Sequence, residues 1–156
     1  MQIKIIDKNF DPWVALSDYE KTQQQGGKNG ATAVFVGTMR DFSQVTDIKQ
    51  KDNQQQAVTE MFLEHYPGMT ESYLEKISKQ LSDKHQLMDV LVIHRVGHIK
   101  PDESIVLVAV WSAHRKQAFE ASRELMEELK SKAPFWKKET LENGNQHWVE
   151  HNTKGY

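Results

Sequence analysis

A chain of 156 residues with 27% charged residues and a formal net charge of −2 has room for one ordinary core, but it lacks the global positive field of a nucleic-acid binder. It contains no cysteine, which excludes disulfides, thiolate nucleophiles and cysteine-based metal sites. No apolar run reaches membrane-spanning length and the opening MQIKIIDKNF has no signal-peptide core, so a soluble cytoplasmic protein without membrane or nucleic-acid partners is the expectation.

Short apolar strands and helices are expected in turn along the chain. Gln2–Ile6 reads as an opening strand. Asp11-Pro12 marks a helix start, an N-cap acid followed by proline at the first helical position. That helix is expected to carry Trp13 and Leu16 inward and to fade into the polar stretch 23–30. Ala31–Thr38, apolar and β-branched, reads as a buried strand. Residues 41–56 are rich in glutamine and lysine with few apolar side chains, which predicts a mobile loop, and a strand returns at 57–65. Pro67-Gly68 turns the chain into a second helix with Thr70 as its cap and Met69 and Leu74 at the spacing of a hydrophobic staple. Its apolar face is Tyr73, Leu74, Ile77 and Leu81.

Strands at 89–96 and 104–111 are separated by the turn signal Lys100-Pro101-Asp102. The third helix is expected from Ser112, as N-cap, to about Ser131, with Ala118, Ala121, Leu125 and Leu129 on one stripe widened by Phe119 and Met126. Asn143-Gly144 is a strong hairpin signal between strands at 136–141 and 146–149. There is no internal repeat and no interdomain linker, so 1–156 reads as one domain. Strands and helices mix without strict alternation, which predicts an α+β fold with a mixed sheet.

Cations crowd the junctions of the third helix. Lys130 in the last turn complements the negative end of the helix and needs no special reason. His114 and Arg115 in the first turn do, because that end already presents positive charge and open N–H groups; an anion bound there accounts for them. Lys137 follows the Ala133-Pro134 break, with Lys132 and Lys138 nearby and Pro134, Phe135 and Trp136 apolar enough to wall a cleft. Crowded, partly buried amines become able to act as acid, base or nucleophile. His65, His94, His98, His147 and His151 show no HExxH, HxH or carboxylate–histidine pattern, so no metal or cofactor is expected. For His94-Arg95 a structural and an interfacial role both stay open, and Trp111, Trp136 and Trp148 read as core or interface residues.

Five segments resemble the catalytic, large subunit of molybdopterin synthase and follow that family's order: VGTMR at 36–40, LEHYPGMTE at 63–71, VIHRVGHIKPDESIV at 92–106, SAHR at 112–115 and KSKAPFWKKE at 130–139. The resemblance implies an α/β-hammerhead fold with a small added β subdomain. It implies sulfur transfer that converts cyclic pyranopterin monophosphate into molybdopterin, in molybdenum cofactor biosynthesis. The donor would be the thiocarboxylated Gly-Gly C-terminus of a small ubiquitin-like sulfur carrier, in a heterotetramer built on a homodimer of this chain. The lack of cysteine fits, because the sulfur then arrives on the partner.

By the same resemblance Lys130 and Lys137 are the catalytic pair. Arg40, His114 and Arg115 would hold the substrate phosphate, with Arg40 converging on the other two from the end of Ala31–Thr38. Thr38 and Met39 would offer backbone N–H groups, and Lys138 and Glu139 join the substrate-binding set. Glu139 either steers Lys137 or forms a simple ion pair with it. The short tail HNTKGY has no counterpart to any longer basic tail in the family. Two rival readings stay open: a non-catalytic module that binds a glycine-tailed ubiquitin-like protein, and a phosphate-ester enzyme using the same anion site.

Overall fold

The computed structural model describes residues 1–23, 27–44 and 55–149. One mixed sheet contains β1 (Gln2–Ile6), β2 (Ala31–Thr38), β5 (Asp89–Arg95) and β7 (Ser104–Ser112) in the order β1-β5-β7-β2. Only the β1–β5 pair is parallel; β5–β7 and β7–β2 are antiparallel. The second sheet runs β3 (Phe42–Gln44), β4 (Gln55–His65), β8 (Phe135–Leu141), β9 (Gln146–Trp148), with the short β6 (Gly97–Ile99) also paired to β4. Among the described residues three helices complete an α+β fold: α1 (Pro12–Thr22), α2 (Met69–His85) and α3 (Arg115–Ser131).

The two central strands explain their own composition. Val90 and Val92 on β5, with Val106, Val108 and Val110 on β7, meet Leu74 and Leu81 of α2 and Ala118, Ala121, Leu125 and Leu129 of α3. The alternate residues, Leu91, Ile93, Leu107, Ala109 and Trp111, form a second cluster against Phe10 and the Ala15, Leu16 and Tyr19 side of α1. Strands covered on both faces need apolar residues at every position, which is why they read as unbroken runs. A third cluster (Met39, Val58, Met61, Leu63, Ile99 and Leu141) lies on one face of the second sheet.

Several expectations shift. Trp13 is not inward; it is 62% exposed. Asp11 Oδ1 accepts from Trp13 N and Val14 N as expected of an N-cap, but the inward positions are 12, 15, 16 and 19, and at 100° per residue 13 and 14 face away. In α2 the cap is Gly68 (φ 81°), whose N–H donates to Glu71 Oε2 at 2.7 Å. Thr70 therefore lies inside the first turn and is fully buried, and Met69 is 56% exposed, so no staple forms. α3 is capped by His114 rather than Ser112, which ends β7.

Within the expected loop 41–56, residues 45–54 lie outside the described part. Its ends are strands: β3 pairs with β4 through Phe42↔Ala57, Ser43↔Gln56 and Gln44↔Gln55. A backbone ladder needs no apolar side chain, so composition alone missed it. The hairpin at Asn143-Gly144 stands where the dipeptide put it, as a four-residue connection with Gly144 at φ 81° and its N–H donating to Leu141 O at 2.9 Å.

Candidate functional site

The register of the first sheet decides which cations can meet. β2 runs antiparallel to β7, with Ala31 opposite Ser112 and Thr38 opposite Ser104. Helix α3 leaves from the Ser112 end, and its 17 residues carry the chain about 25 Å to Ser131. It packs along both β7 and β2. Phe135, just beyond the helix, stacks on His94, and His94 pairs with Val106 near the start of β7. His114 and Arg115 thus occupy one end of the sheet, while Lys130, Lys137 and Arg40, two residues past Thr38, occupy the other. A single chain does not make Arg40 converge with His114 and Arg115. Within one chain the antiparallel register of β2 on β7 keeps them at opposite ends.

At the lysine end, Lys130 is exposed in the last turn of α3. Lys132 N and Ala133 N both donate to Glu128 O, and Phe135 N donates to Ala133 O, folding the chain sharply into β8. The cations here are not merely crowded together; each of two has a carboxylate of its own. Lys132 Nζ lies 2.7 Å from Glu128 Oε1, and Lys137 Nζ lies 2.8 Å from Glu139 Oε1. Lys137 and Glu139 share one face of β8 by strand alternation. Glu139 is buried, so the pair is not a loose surface contact, and His147 Nε2 is 3.5 Å from its other oxygen. Lys138 points to the opposite face, where its ammonium lies 5.4 Å from the Phe62 ring and 5.5 Å from the Trp148 ring. Trp136, also on that outer face, is about half exposed.

The turn is tied from beneath by α2 and β5. Tyr73 OH donates to Glu128 Oε2 at 2.6 Å, and burial, with the carboxylate second, pushes the phenol up to about 12. Thr70 Oγ1 lies 3.2 Å from Pro134 O. His94 stacks on Phe135 with centroids 4.0 Å apart and planes 17° from parallel. Burial holds this imidazole down to about 4, so it is neutral at physiological pH. A cleft of about 440 Å³ opens beside it, lined by Ile5, Ile6, Asp7, Lys8, His65 and Val96.

At the other end, α3 begins without a side-chain cap and without an acid in its first turn. The first N–H groups of a helix have no intrahelical acceptor, so an anion is the natural partner for this end beside Arg115. Ser112 Oγ donates to His114 O at 2.6 Å, fixing the bend between β7 and α3. Gly30 backs that bend so closely that a Cβ there would lie 2.2 Å from Ala113 O. Only glycine lets the start of β2 pass.

The set expected around Arg40 is partly spoken for. Met39 is a core side chain, its N–H donates to Glu103 O at 3.0 Å and its carbonyl accepts from Asp102 N at 2.9 Å. A substrate phosphate therefore gains no amide from Met39, contrary to expectation. Thr38 and Arg40 are exposed, and the Arg40 guanidinium lies 4.9 Å from the Phe42 ring centroid. Arg95, whose role sequence left open, is a buried structural tie: it donates to Glu103 Oε2, Asn9 Oδ1 and His98 O. Sequence reasoning also missed the contact of Thr70 with Pro134 and the stacking role of His94. A histidine continuing the buried Val90, Val92 alternation was the available signal for the latter.

Among the described residues no three histidine, aspartate or glutamate side chains are placed to hold a metal ion, and no helix is long and apolar enough to cross a membrane. Residues 9–132 match the family model described as MoaE protein. A molybdopterin synthase catalytic subunit from Ralstonia nicotianae is 49% identical over 121 residues, 78% of this chain and 62% of that protein. The protein of the same description from Pseudomonas aeruginosa is 41% identical over 150 residues, 96% of this chain and 91% of its own length. Among solved structures, the molybdopterin biosynthesis MoaE protein from Burkholderia ambifaria superposes with a TM-score of 0.72 at 39% identity, covering 95% of this chain and 88% of that one.

Proposed function

Because the chain belongs to the MoaE family of molybdopterin synthase catalytic subunits, we propose that it inserts two dithiolene sulfurs into cyclic pyranopterin monophosphate to make molybdopterin. The sulfur arrives as the thiocarboxylate at the C-terminal glycine of a small ubiquitin-like carrier. This chain brings no cysteine of its own, so a carried sulfur is the chemistry its composition allows. The observation that carries the reading is the Lys130–Lys137 turn, with Lys137 held 2.8 Å from the buried Glu139.

The carrier tail enters beside that turn. Its sulfur attacks a side-chain carbon of the pterin as the C–O bond at that carbon breaks. The oxygen leaves protonated as water or, where it belongs to the cyclic phosphate, as the opened phosphate ester. Water then cleaves the acyl–sulfur bond, leaving sulfur on the pterin and releasing the carrier as a carboxylate. Lys130 and Lys137 supply protons and stabilise the oxyanions that develop. Two sulfurs are needed, so a spent carrier leaves and a fresh one takes its place. The substrate phosphate is held by arginine, whose planar fork pairs two oxygens at once.

The separation of the two cationic ends implies a site completed by a second copy. Arg40 and the lysines come from one protomer; His114 and Arg115 come from its partner, with the pair forming the core of a heterotetramer. Arg115→Ala should then raise KM for the pterin by about tenfold, the worth of one charged hydrogen-bonding pair, with stability barely changed. Steady-state kinetics beside thermal melting checks this. At substrate well below KM, where each variant alone is inactive or weak, mixing Arg115→Ala with Lys130→Ala should restore roughly a quarter of the wild-type rate. Half of randomly assorted dimers are hybrids, and one of each hybrid's two sites is intact. No recovery on mixing would place all the groups in one chain.

The direct test is reconstitution with cyclic pyranopterin monophosphate and a thiocarboxylated carrier, reading dithiolene formation. Product is expected from the wild type. Carrier binding without product would instead mark a binding module, and absence of carrier binding would favour a phosphate-ester enzyme.

A further inference from the structure

We propose that His94 and Thr70 form a two-point clamp that positions the Lys130–Lys137 turn, His94 through the flat stack on Phe135 and Thr70 through its hydroxyl on Pro134 O. The inference rests on the catalytic reading of the two lysines. It assigns no contact with substrate to either clamp residue; both act through the backbone between the lysines.

Only six residues, 131–136, separate Lys130 from Lys137, and two of them are gripped from below. His94 ends the inward row of β5 after Val90 and Val92 and is buried. Its Nδ1 lies 2.8 Å from Arg95 O. A carbonyl can only accept, so Nδ1 carries the proton and fixes the tautomer, while burial keeps the flat ring in one plane. Against that fixed plane lies Phe135, the first residue of β8, two positions before Lys137. Side chains two apart on a strand share a face, so the plane that seats Phe135 also sets the direction in which Lys137 leaves the sheet.

Thr70 grips the residue before. It is fully buried, and its Oγ1 accepts from Tyr66 N at 3.1 Å. Its single proton has two carbonyls in range, Tyr66 O at 3.1 Å and Pro134 O at 3.2 Å. Tyr66 O already accepts the Thr70 amide at 3.0 Å, so Pro134 O is the acceptor left to fill. The hydroxyl therefore ties the 66–70 bend to the turn. A core that needed only volume here would be served by valine, which has the shape of threonine without the hydroxyl.

The experiment uses the full chain with thiocarboxylated carrier and cyclic pyranopterin monophosphate, comparing His94→Ala, His94→Phe, Thr70→Val and Thr70→Ser. For the alanine and valine variants, kcat should fall by about 10- to 100-fold, the usual cost of misplacing a reacting group by an ångström, with KM and carrier binding within about threefold. His94→Phe keeps a flat ring and Thr70→Ser keeps the hydroxyl, so both should recover kcat to within about threefold of wild type. If His94→Ala does not fold, His94→Leu replaces it, filling the volume without a ring. Independently of turnover, NMR of ¹³C-dimethylated lysines should show the Lys137 resonance (assigned with Lys137→Arg) shifted or broadened in His94→Ala and Thr70→Val and restored in the conservative pair. Unchanged kcat per folded chain in both disruptive variants overturns the clamp. So does a His94→Phe as impaired as His94→Ala, which would mean the imidazole nitrogens do something other than stack. If the wild type transfers no sulfur, the catalytic reading fails, while the lysine resonances still decide whether the clamp orders the turn.

Discussion

Lys130→Ala should reduce sulfur transfer by about 10³-fold or more while leaving a cooperatively folded protein that still binds its carrier. The size follows from the proposed role of Lys130 in moving protons and stabilising an oxyanion, each worth two or more powers of ten. The intact fold follows from the position. Lys130 is exposed on the last turn of α3, alanine is the best helix former, and the cation's contribution to the helix terminus is below about 1 kcal/mol. Single-turnover dithiolene formation, measured beside circular dichroism and carrier titration, checks all three parts. Activity retained within tenfold would remove Lys130 from the chemistry and leave Lys137 as the candidate.

Acid should weaken the fold through the buried His94 ring. Burial holds the His94 imidazole down to about 4, against an ordinary value near 6.5. Below pH 6.5 the unfolded chain takes up a proton here that the folded chain refuses. Stability from this group is therefore whole above pH 6.5, falls as pH drops towards 4, and falls no further below that. At about 1.4 kcal/mol per pH unit the loss totals about 3 kcal/mol. Glu103, Glu124 and Glu128 are each held below their ordinary range, Glu103 chiefly by the Lys100 amide, Glu124 by Lys84 and Glu128 by Lys132. Their stabilisation is present above the ordinary carboxylate value and lost only as pH falls through the lowered one, so these three carboxylates do not account for a loss between 6.5 and 4.5. Urea unfolding at pH 7 and pH 5 should show a loss of about 2 kcal/mol in the wild type that His94→Phe does not share. Equal losses in both proteins would show that the ring is protonated in the folded state.

What was legible in the sequence follows from what is local. The buried strands β5 and β7 announced themselves by unbroken apolar runs, the hairpin by Asn143-Gly144, and the break between Lys130 and Lys137 by Ala133-Pro134. The resemblance named the family from five short segments. What was not legible is long-range. Nothing in the order Arg40, His114, Arg115 reveals that an antiparallel register sends the first to one end of the sheet and the others to the opposite end. Met39 looked available beside Arg40, but its amide had a partner sixty-odd residues away in Glu103. Thr70 had the right letter for a cap and spends its hydroxyl on a tertiary contact instead. Lys137 and Lys138, adjacent in sequence, part to opposite faces of β8; the period of two contains that fact, although likeness to a motif treats the two as one group.

The distance between the two ends of α3 also bears on the proposed two-copy site. On that proposal, with the lysines at one end of α3 and Arg115 about 25 Å away at the other, a lone protomer carries two half-sites and no whole one. On the proposed two-copy site, turnover per chain depends on concentration. It is steady when copies are abundant and falls with dilution once protomers separate, before any chain unfolds. Abundance then acts as the regulator, and a chain made in excess but defective at one end lends its good end to a neighbour rather than poisoning it.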